Sequence, residues 1–201
     1  MVLDTLDQLG SLPVVILDES PRDVELYGVP VLKPSPAVWK DYQHFRFHAA
    51  VGENATRSRV FFDWQARGGV PQTVIHPSAV SSRKASLGPG CFVAAGAVIG
   101  PGTHIGRNCI INTSCSIDHD CEIGADVHIC PGVHLAGVVW VGAGTMIGTG
   151  ASVIPGIRIG GNCTIGAGSV VVRDIPDNSI AFGNPARIVR RNEPVILPSD
   201  R

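Results

Sequence analysis

Hydrophobic positions along this chain fall into two regimes. From Leu87 an aliphatic residue recurs at every sixth position: Leu87, Val93, Ile99, Ile105, Ile111, Ile117, Ile123, Ile129, Leu135, Val141, Ile147, Val153, Ile159, Ile165 and Val171. The frame reaches back to Ile75 and is broken only at Ser81. Glycine often follows the anchor, as in Ile99-Gly100 and Ile165-Gly166, and the residue two before it is small or β-branched, as in Ala97, Thr103 and Val127. Six is neither a helical period nor the alternation of a hairpin strand. It predicts short strands separated by turns, with glycine supplying positive φ. Three such faces close a triangular coil of 18 residues, and coils stack at the ~4.8 Å spacing of paired strands. That is the hexapeptide parallel β-helix, here expected over residues 75–176 in a little under six coils, with the anchors filling its interior. No insertion interrupts the hexads, so no loop is expected to protrude.

The pattern before residue 75 is different. Apolar runs predict strands at 13–17, 29–32, 45–51 and 73–75. Asn54 is the expected N-cap of a helix through Arg67, with Val60, Phe61 and Trp64 on one face and Gly68 as its stop. Ser35-Pro36 can open a shorter helix. The expected organisation is a small α/β unit over 1–74, the β-helix over 75–183 and a tail over 184–201. Composition marks the same seam: 19 of 24 glycines lie from Gly88 to Gly183, and 8 of 11 Phe, Trp and Tyr residues lie before residue 75.

Charge narrows the classes of partner. With 16 basic against 17 acidic residues and no basic block, no electrostatic nucleic-acid or membrane partner is expected. No apolar run approaches the ~20 residues of a membrane span, and MVLDTLDQLG is too acidic for a signal peptide. A cytoplasmic setting with reduced thiols is expected. Cys109, Cys115 and Cys121 invite a zinc or disulfide reading, but with Cys91 and Cys163 they occupy one hexad slot, four after an anchor. That slot predicts inward packing as small hydrophobes and explains the spacing without metal or bridge. Cys130, directly after an anchor, is the cysteine expected at the surface.

His119, two past an anchor and flanked by Asp118 and Asp120, stands outside this packing logic. An imidazole beside a carboxylate suits general acid–base chemistry, although a solvated surface histidine has the same sequence. His128 shares its slot, five after an anchor, with His104 and His134, so the slot alone assigns it nothing. Arg187, Arg190 and Arg191 fit either phosphate contact or a solvated basic tail. Trp140 is either exposed or at a subunit interface.

An α/β unit, a β-helix and then Gly183-Asn184-Pro185-Ala186-Arg187 together resemble the hexapeptide-repeat sugar O-/N-acyltransferases of the NeuD/PglD type. The resemblance spans about residues 14–190. It is carried by Leu17-Asp18-Glu19, Tyr27-Gly28-Val29-Pro30-Val31-Leu32, Val51-Gly52-Glu53-Asn54 with Arg57, Ile75-His76-Pro77-Ser78-Ala79, Asn112-Thr113 to Cys121, His128 and Leu135-Ala136-Gly137. It implies a left-handed parallel β-helix working as a homotrimer, with acetyl-CoA as cosubstrate in the groove between neighbouring prisms and no metal. It makes His119 the general base and Asp120, where the family usually has Glu, its partner. His128 falls near the acetyl group, Thr149 and Ala167 on the pantetheine arm, and Gly137 and Pro185 join the cofactor contacts. Asp18, Gly52, Asn54 and Arg57 become the contacts to a sugar or nucleotide-sugar acceptor.

The family opens with a strand and a Gly-rich loop near the nucleotide-sugar. Here 17 residues precede Asp18, without Gly-x-x-Gly, and MVLDTLDQLG looks like the tail of the helix after that loop. An internal start, a misassigned start and a remodelled sugar pocket remain open. Two other readings share the prism: a zinc hydratase resembling the γ-class carbonic anhydrases, whose His-x4-His pair is missing here, and a non-catalytic assembly protein.

Overall fold

A computed structural model describes residues 1–36 and 45–193. Seventeen two-residue strands run from Val74–Ile75 to Val170–Val171 and sort into three parallel sheets. Each pairing joins residues 18 apart, as Ile99 with Ile117 and Ile105 with Ile123. The expected left-handed parallel β-helix is therefore present, a little under six coils long. Sheet A presents Val98, Ser116, His134 and Ser152 outward; sheet B presents His104, Glu122, Trp140 and Arg158; sheet C presents Phe92, Ile110, His128 and Met146. The chain visits them in the order A, B, C, so the prism has an A/B, a B/C and a C/A edge.

The anchors point inward. Val93, Ile111, Ile117, Ile129, Val141, Ile147, Ile159 and Ile165 are fully buried, each contributing roughly 1.5–3 kcal/mol of burial. The frame fails at its first member: Ile75 is 39 % exposed, because no coil lies beneath it to close the interior. At the other end the hairpin of Ser179–Gly183 and Ala186–Arg191 joins sheet C and buries Ala181 and Ala186. The expected tail is therefore a strand as far as Arg191.

Glycine serves two registers rather than one. Glycines directly after an anchor do not supply the positive φ. They let the next coil pass: a methyl on Gly100 would sit 2.7 Å from Asp118 C and 2.8 Å from His119 N. The left-handed residue falls two positions later, three after the anchor, in every hexad from Gly90 to Gly168. Its occupants are Gly, Asn, Asp and Ser, the types that tolerate this conformation, with one exception, Val138. For a β-branched residue that conformation costs about 1–2 kcal/mol.

The slot cysteines are buried, and several do more than pack. Cys91, Cys109, Cys121 and Cys163 place Sγ 3.1–3.2 Å from carbonyl oxygens of the next coil, a bond that Thr103 and Thr145 make through Oγ1 in the same slot. Cys130 is buried too, correcting the expectation of exposure; the next coil bonds over it, with its N–H donating to Ile147 O.

The N-terminal unit is more fragmentary than its pattern predicts. Strands shrink to Ile16–Leu17 and Arg46–Phe47, Val29–Leu32 holds its predicted span, and a short strand Glu25–Leu26 joins it. The expected helix after Ser35-Pro36 falls mostly outside the described residues. Helix α1 (Val2–Gln8) packs Val2 and Leu6 on Val74, Phe92 and Ala94. Helix α2 (Asn54–Ala66) is capped by Glu53 rather than Asn54: the Glu53 carboxylate accepts from Ala55 N at 2.9 Å and Thr56 N at 2.6 Å. The aromatic cluster of Phe45, Phe47, Phe61 and Trp64 joins α2 to the short strands, and Phe61 covers Gly90 on the prism. Among the described residues no helix is long and apolar enough to cross a membrane.

Candidate active site

His119 sits on the A/B edge in the turn between Ser116–Ile117 and Glu122–Ile123. The coil below fixes that turn: buried Thr103 donates through Oγ1 to Asp118 O at 2.7 Å and accepts from Cys121 N at 3.2 Å. Asp120 takes the left-handed slot at φ 56°, which brings its carboxylate back to its neighbour. His119 Nδ1 lies 2.9 Å from Asp120 Oδ2, with the two side chains 59 % and 65 % exposed. The shorter acid thus spans the distance. With Nδ1–H donated to the carboxylate, Nε2 keeps its lone pair for a substrate proton.

Two glycines bracket the pair. A methyl on Gly137, one coil above His119, would lie 2.5 Å from Nε2 and 2.6 Å from Cε1. A methyl on Gly102, one coil below Asp120, would run into Asp120 Oδ1. The imidazole and its carboxylate therefore pack directly against the Gly137 and Gly102 backbone. Gly102 and Thr103 were not among the predicted site residues. Their signal is the 18-residue coil period, which stacks them beneath Asp120 and Cys121.

His128 belongs to a different neighbourhood. It projects from sheet C, with Nδ1 3.3 Å from Gly52 O and Nε2 3.1 Å from Asn112 Nδ2. Donation from Nδ1 to the carbonyl leaves Nε2 as acceptor for the amide. Burial, and then the nearby Arg57 charge, lower the His128 pKa, and the Gly52 bond opposes them.

Arg57 corrects a sequence expectation. It is 1 % exposed, and all five of its N–H groups have acceptors: Nε to Asn108 O, Nη1 to Val51 O and Gly52 O, Nη2 to Asn54 Oδ1 and Asp126 O. No donor is left for a sugar or phosphate. Asn54 is likewise engaged, donating through Nδ2 to Gly144 O at 2.9 Å and accepting from Arg57. Both staple the N-terminal unit to the B/C edge. Gly52 is exposed, and its carbonyl serves Arg57 and His128. Asp18 is exposed at the end of the first strand and accepts from Ser20 N at 2.7 Å.

The other predicted residues lie elsewhere on the prism. Thr149 and Ala167 are exposed one above the other on the C/A edge, and Pro185 is exposed in the turn of the final hairpin. One chain therefore spreads much of the expected set over three places: His119, Asp120 and Gly137 on the A/B edge; His128 on sheet C, with the Gly52 carbonyl of the N-terminal unit beside it; Thr149 and Ala167 on the C/A edge. Among the described residues no three His, Cys, Asp or Glu side chains converge as metal ligands would. Trp140 is half-buried under Arg158, whose guanidinium lies 5.0 Å from the ring centroid.

Comparison with known proteins places this geometry in context. The bacterial transferase hexapeptide (six repeats) family model matches residues 84–115, 102–137 and 139–173. A perosamine N-acetyltransferase mutant from Caulobacter crescentus, solved in complex with CoA and GDP-perosamine, is 39% identical, with a TM-score of 0.90 over 94% of this chain and 90% of that one. The acetyltransferase domain of PglB from Neisseria gonorrhoeae, solved with acetyl coenzyme A, is 34% identical, with a TM-score of 0.87 over 94% and 92%. A putative acetyltransferase of Saccharomyces cerevisiae is 40% identical over 53 residues, which span 26% of this chain and 24% of the yeast protein. Identity at this level across nearly the whole length, on a prism carrying a histidine–carboxylate pair, leads to one conclusion: the chain belongs to the hexapeptide-repeat sugar acyltransferase family and is an enzyme.

Proposed function

We propose that this protein transfers the acetyl group of acetyl-CoA to the amino group of a nucleotide-linked amino sugar, with His119 as general base. The observation that carries the reading is the His119–Asp120 pair, with Nδ1 occupied, Nε2 beside the Gly137 backbone and the imidazole more than half exposed. The acceptor amine attacks the thioester carbon while Nε2 takes its proton. The C–N bond forms, the C–S bond breaks as the tetrahedral intermediate collapses, and the proton returns from Nε2 to the departing thiolate. Asp120 holds the tautomer and stabilises the transient imidazolium. The Gly137 backbone, flush against the ring, borders the place where the oxyanion develops. A hydroxyl acceptor would use the same steps. The perosamine N-acetyltransferase, crystallised as a histidine mutant with CoA and GDP-perosamine, supports both the substrate class and a functional histidine.

The distribution of residues supports a homotrimer. The N-terminal unit lies on sheet C and the B/C edge, opposite or beside the edge that carries His119. An acceptor held by Asp18 and Gly52 reaches a His119 supplied by a neighbouring copy, and acetyl-CoA lies between that His119 and the Thr149–Ala167 edge. Six free, buried cysteines suit a cytoplasmic setting.

The test is a screen of nucleotide-linked and free amino sugars with acetyl-CoA, read as thiol release and a mass gain of one acetyl group on the acceptor. Thiol release with a nucleotide-linked amino sugar is the expected result. Release with no amino or hydroxyl sugar acceptor would overturn the reading.

A further inference from the structure

From Gly90 to Gly168 the left-handed slot three after each anchor holds Gly, Asn, Asp or Ser, save at Val138. Its φ is 63°, a conformation in which a β-branched side chain crowds its own backbone. Packing does not compensate, because the side chain is 56 % exposed. Nor does hydrogen bonding: Val138 N donates to His119 O at 2.9 Å, but Asp120 N and Gly156 N make the corresponding bonds to Pro101 O and Gly137 O. Any residue with an N–H would do as much, and Gly would do it without strain.

What distinguishes Val138 is its position. It follows Gly137, where an added methyl would lie 2.5 Å from the reactive nitrogen of His119, and it stands one coil above Asp120 in the same slot of the same edge. The one strained, exposed, apolar turn residue of the prism is thus placed beside the transfer point.

Resting on the assignment of His119 as base, we propose that Val138 is a specificity-determining residue, its isopropyl group forming an apolar wall for the reactive end of the acyl donor. An amino sugar and its nucleotide present hydroxyl, amine and phosphate groups. The carbon-only surface that must reach His119 is the acetyl methyl with the methylenes beside the thioester sulfur. A side chain with no hydrogen-bonding capacity matches that surface and not the acceptor.

The test compares the wild type with Val138→Gly and Val138→Asn in the full chain. Both variants relieve the left-handed strain and are expected to unfold at a higher temperature. Both are also expected to raise KM for acetyl-CoA by roughly tenfold, the scale of a lost methylene-sized contact in an apolar pocket, with KM for the sugar unchanged. The preference for acetyl- over butyryl-CoA should narrow as the wall is removed. Higher stability with unchanged acetyl-CoA KM and unchanged acyl preference would overturn the proposal, as would a change confined to the sugar KM. Adding Val138→Gly to His119→Ala and titrating acetyl-CoA by calorimetry separates the two assignments. Weaker binding in the double variant supports the wall whatever His119 does, and equal binding contradicts it. Undiminished turnover by His119→Ala alone would count against the base.

Discussion

Asp120 and Asp126 occupy the same slot in consecutive hexads, with φ of 56° and 61°. The coil gives them one backbone and two fates. Helix α2 covers Asp126, which is 1 % exposed; Asn108 Nδ2 donates to its Oδ1 at 2.6 Å, and its backbone carbonyl takes Arg57 Nη2. Burial pushes the Asp126 carboxyl up, despite Asn108, Arg107 and Arg57 pulling it down, and burial likewise lowers the Arg57 pKa. Desolvation outweighs the attraction on both sides of this pair. Asp120 has no helix over it and spends its carboxylate on His119. A solenoid repeats one turn around its edges, and what lies over each turn decides whether its side chains hold the fold or stay available for chemistry.

That contrast can be broken most forcefully at Arg57. Replacing it with Met leaves the carbonyls of Asn108 and Asp126 without their donors and removes one of the two guanidinium charges that act on the Asp126 carboxyl. A loss of roughly 3–5 kcal/mol is expected in denaturant unfolding, the scale for breaking a buried charged network. A loss under 1 kcal/mol would show that the staple is dispensable.

Paired substitutions sharpen it. Asp120→Asn should lower turnover roughly ten- to a hundredfold, the scale of removing a partner that orients an imidazole, with no change in the unfolding midpoint. Asp126→Asn should leave turnover near wild type, since that carboxylate faces α2 rather than the edge. Equal activity losses would abolish the distinction between the two aspartates. Gly137→Ala tests the bracket: its methyl cannot fit beside Nε2 unless the imidazole moves. Turnover should fall by at least tenfold while the coil survives, because a small displacement of a catalytic group carries a large rate cost.

The smallest effect expected is on acid stability. Burial lowers the His48 and His128 pKa values in the fold, so the unfolded chain binds more protons as pH falls through about 6.5. Stability contributed by the neutral imidazoles is present above that pH and declines below it. Asp126, raised in the fold, has the opposite sign: its contribution grows as pH falls toward the ordinary carboxylate range. His128→Gln should flatten the loss between pH 7 and 5 in thermal unfolding, whereas an unchanged slope would assign it elsewhere.

Much of the prism was legible because a narrow triangular interior accepts an aliphatic side chain at each sixth residue and nothing else. The pair at 119 and 120 was legible because its members are adjacent in the chain. Arg57 was not, because its decisive acceptors lie 51 and 69 residues away, on turns that say nothing about an arginine. Cys130 was misplaced because its burial depends on the coil above it, which a period of six does not reveal and a period of 18 does. The short strands of the N-terminal unit defeat pattern reading for a simpler reason: two residues, as at Ile16–Leu17, are too few to show an alternation. Val138 was visible in the sequence, but its meaning depends on knowing that the third residue after an anchor is left-handed.

We propose that the chemistry resides in the His119–Asp120 pair and that the coil stands without it. The most direct measurement is acetyl-CoA-dependent thiol release by His119→Ala, taken with its unfolding curve. A fall of roughly 10²–10⁴ in turnover is expected, with an unfolding midpoint unchanged from wild type. Undiminished thiol release by a folded His119→Ala protein would contradict it.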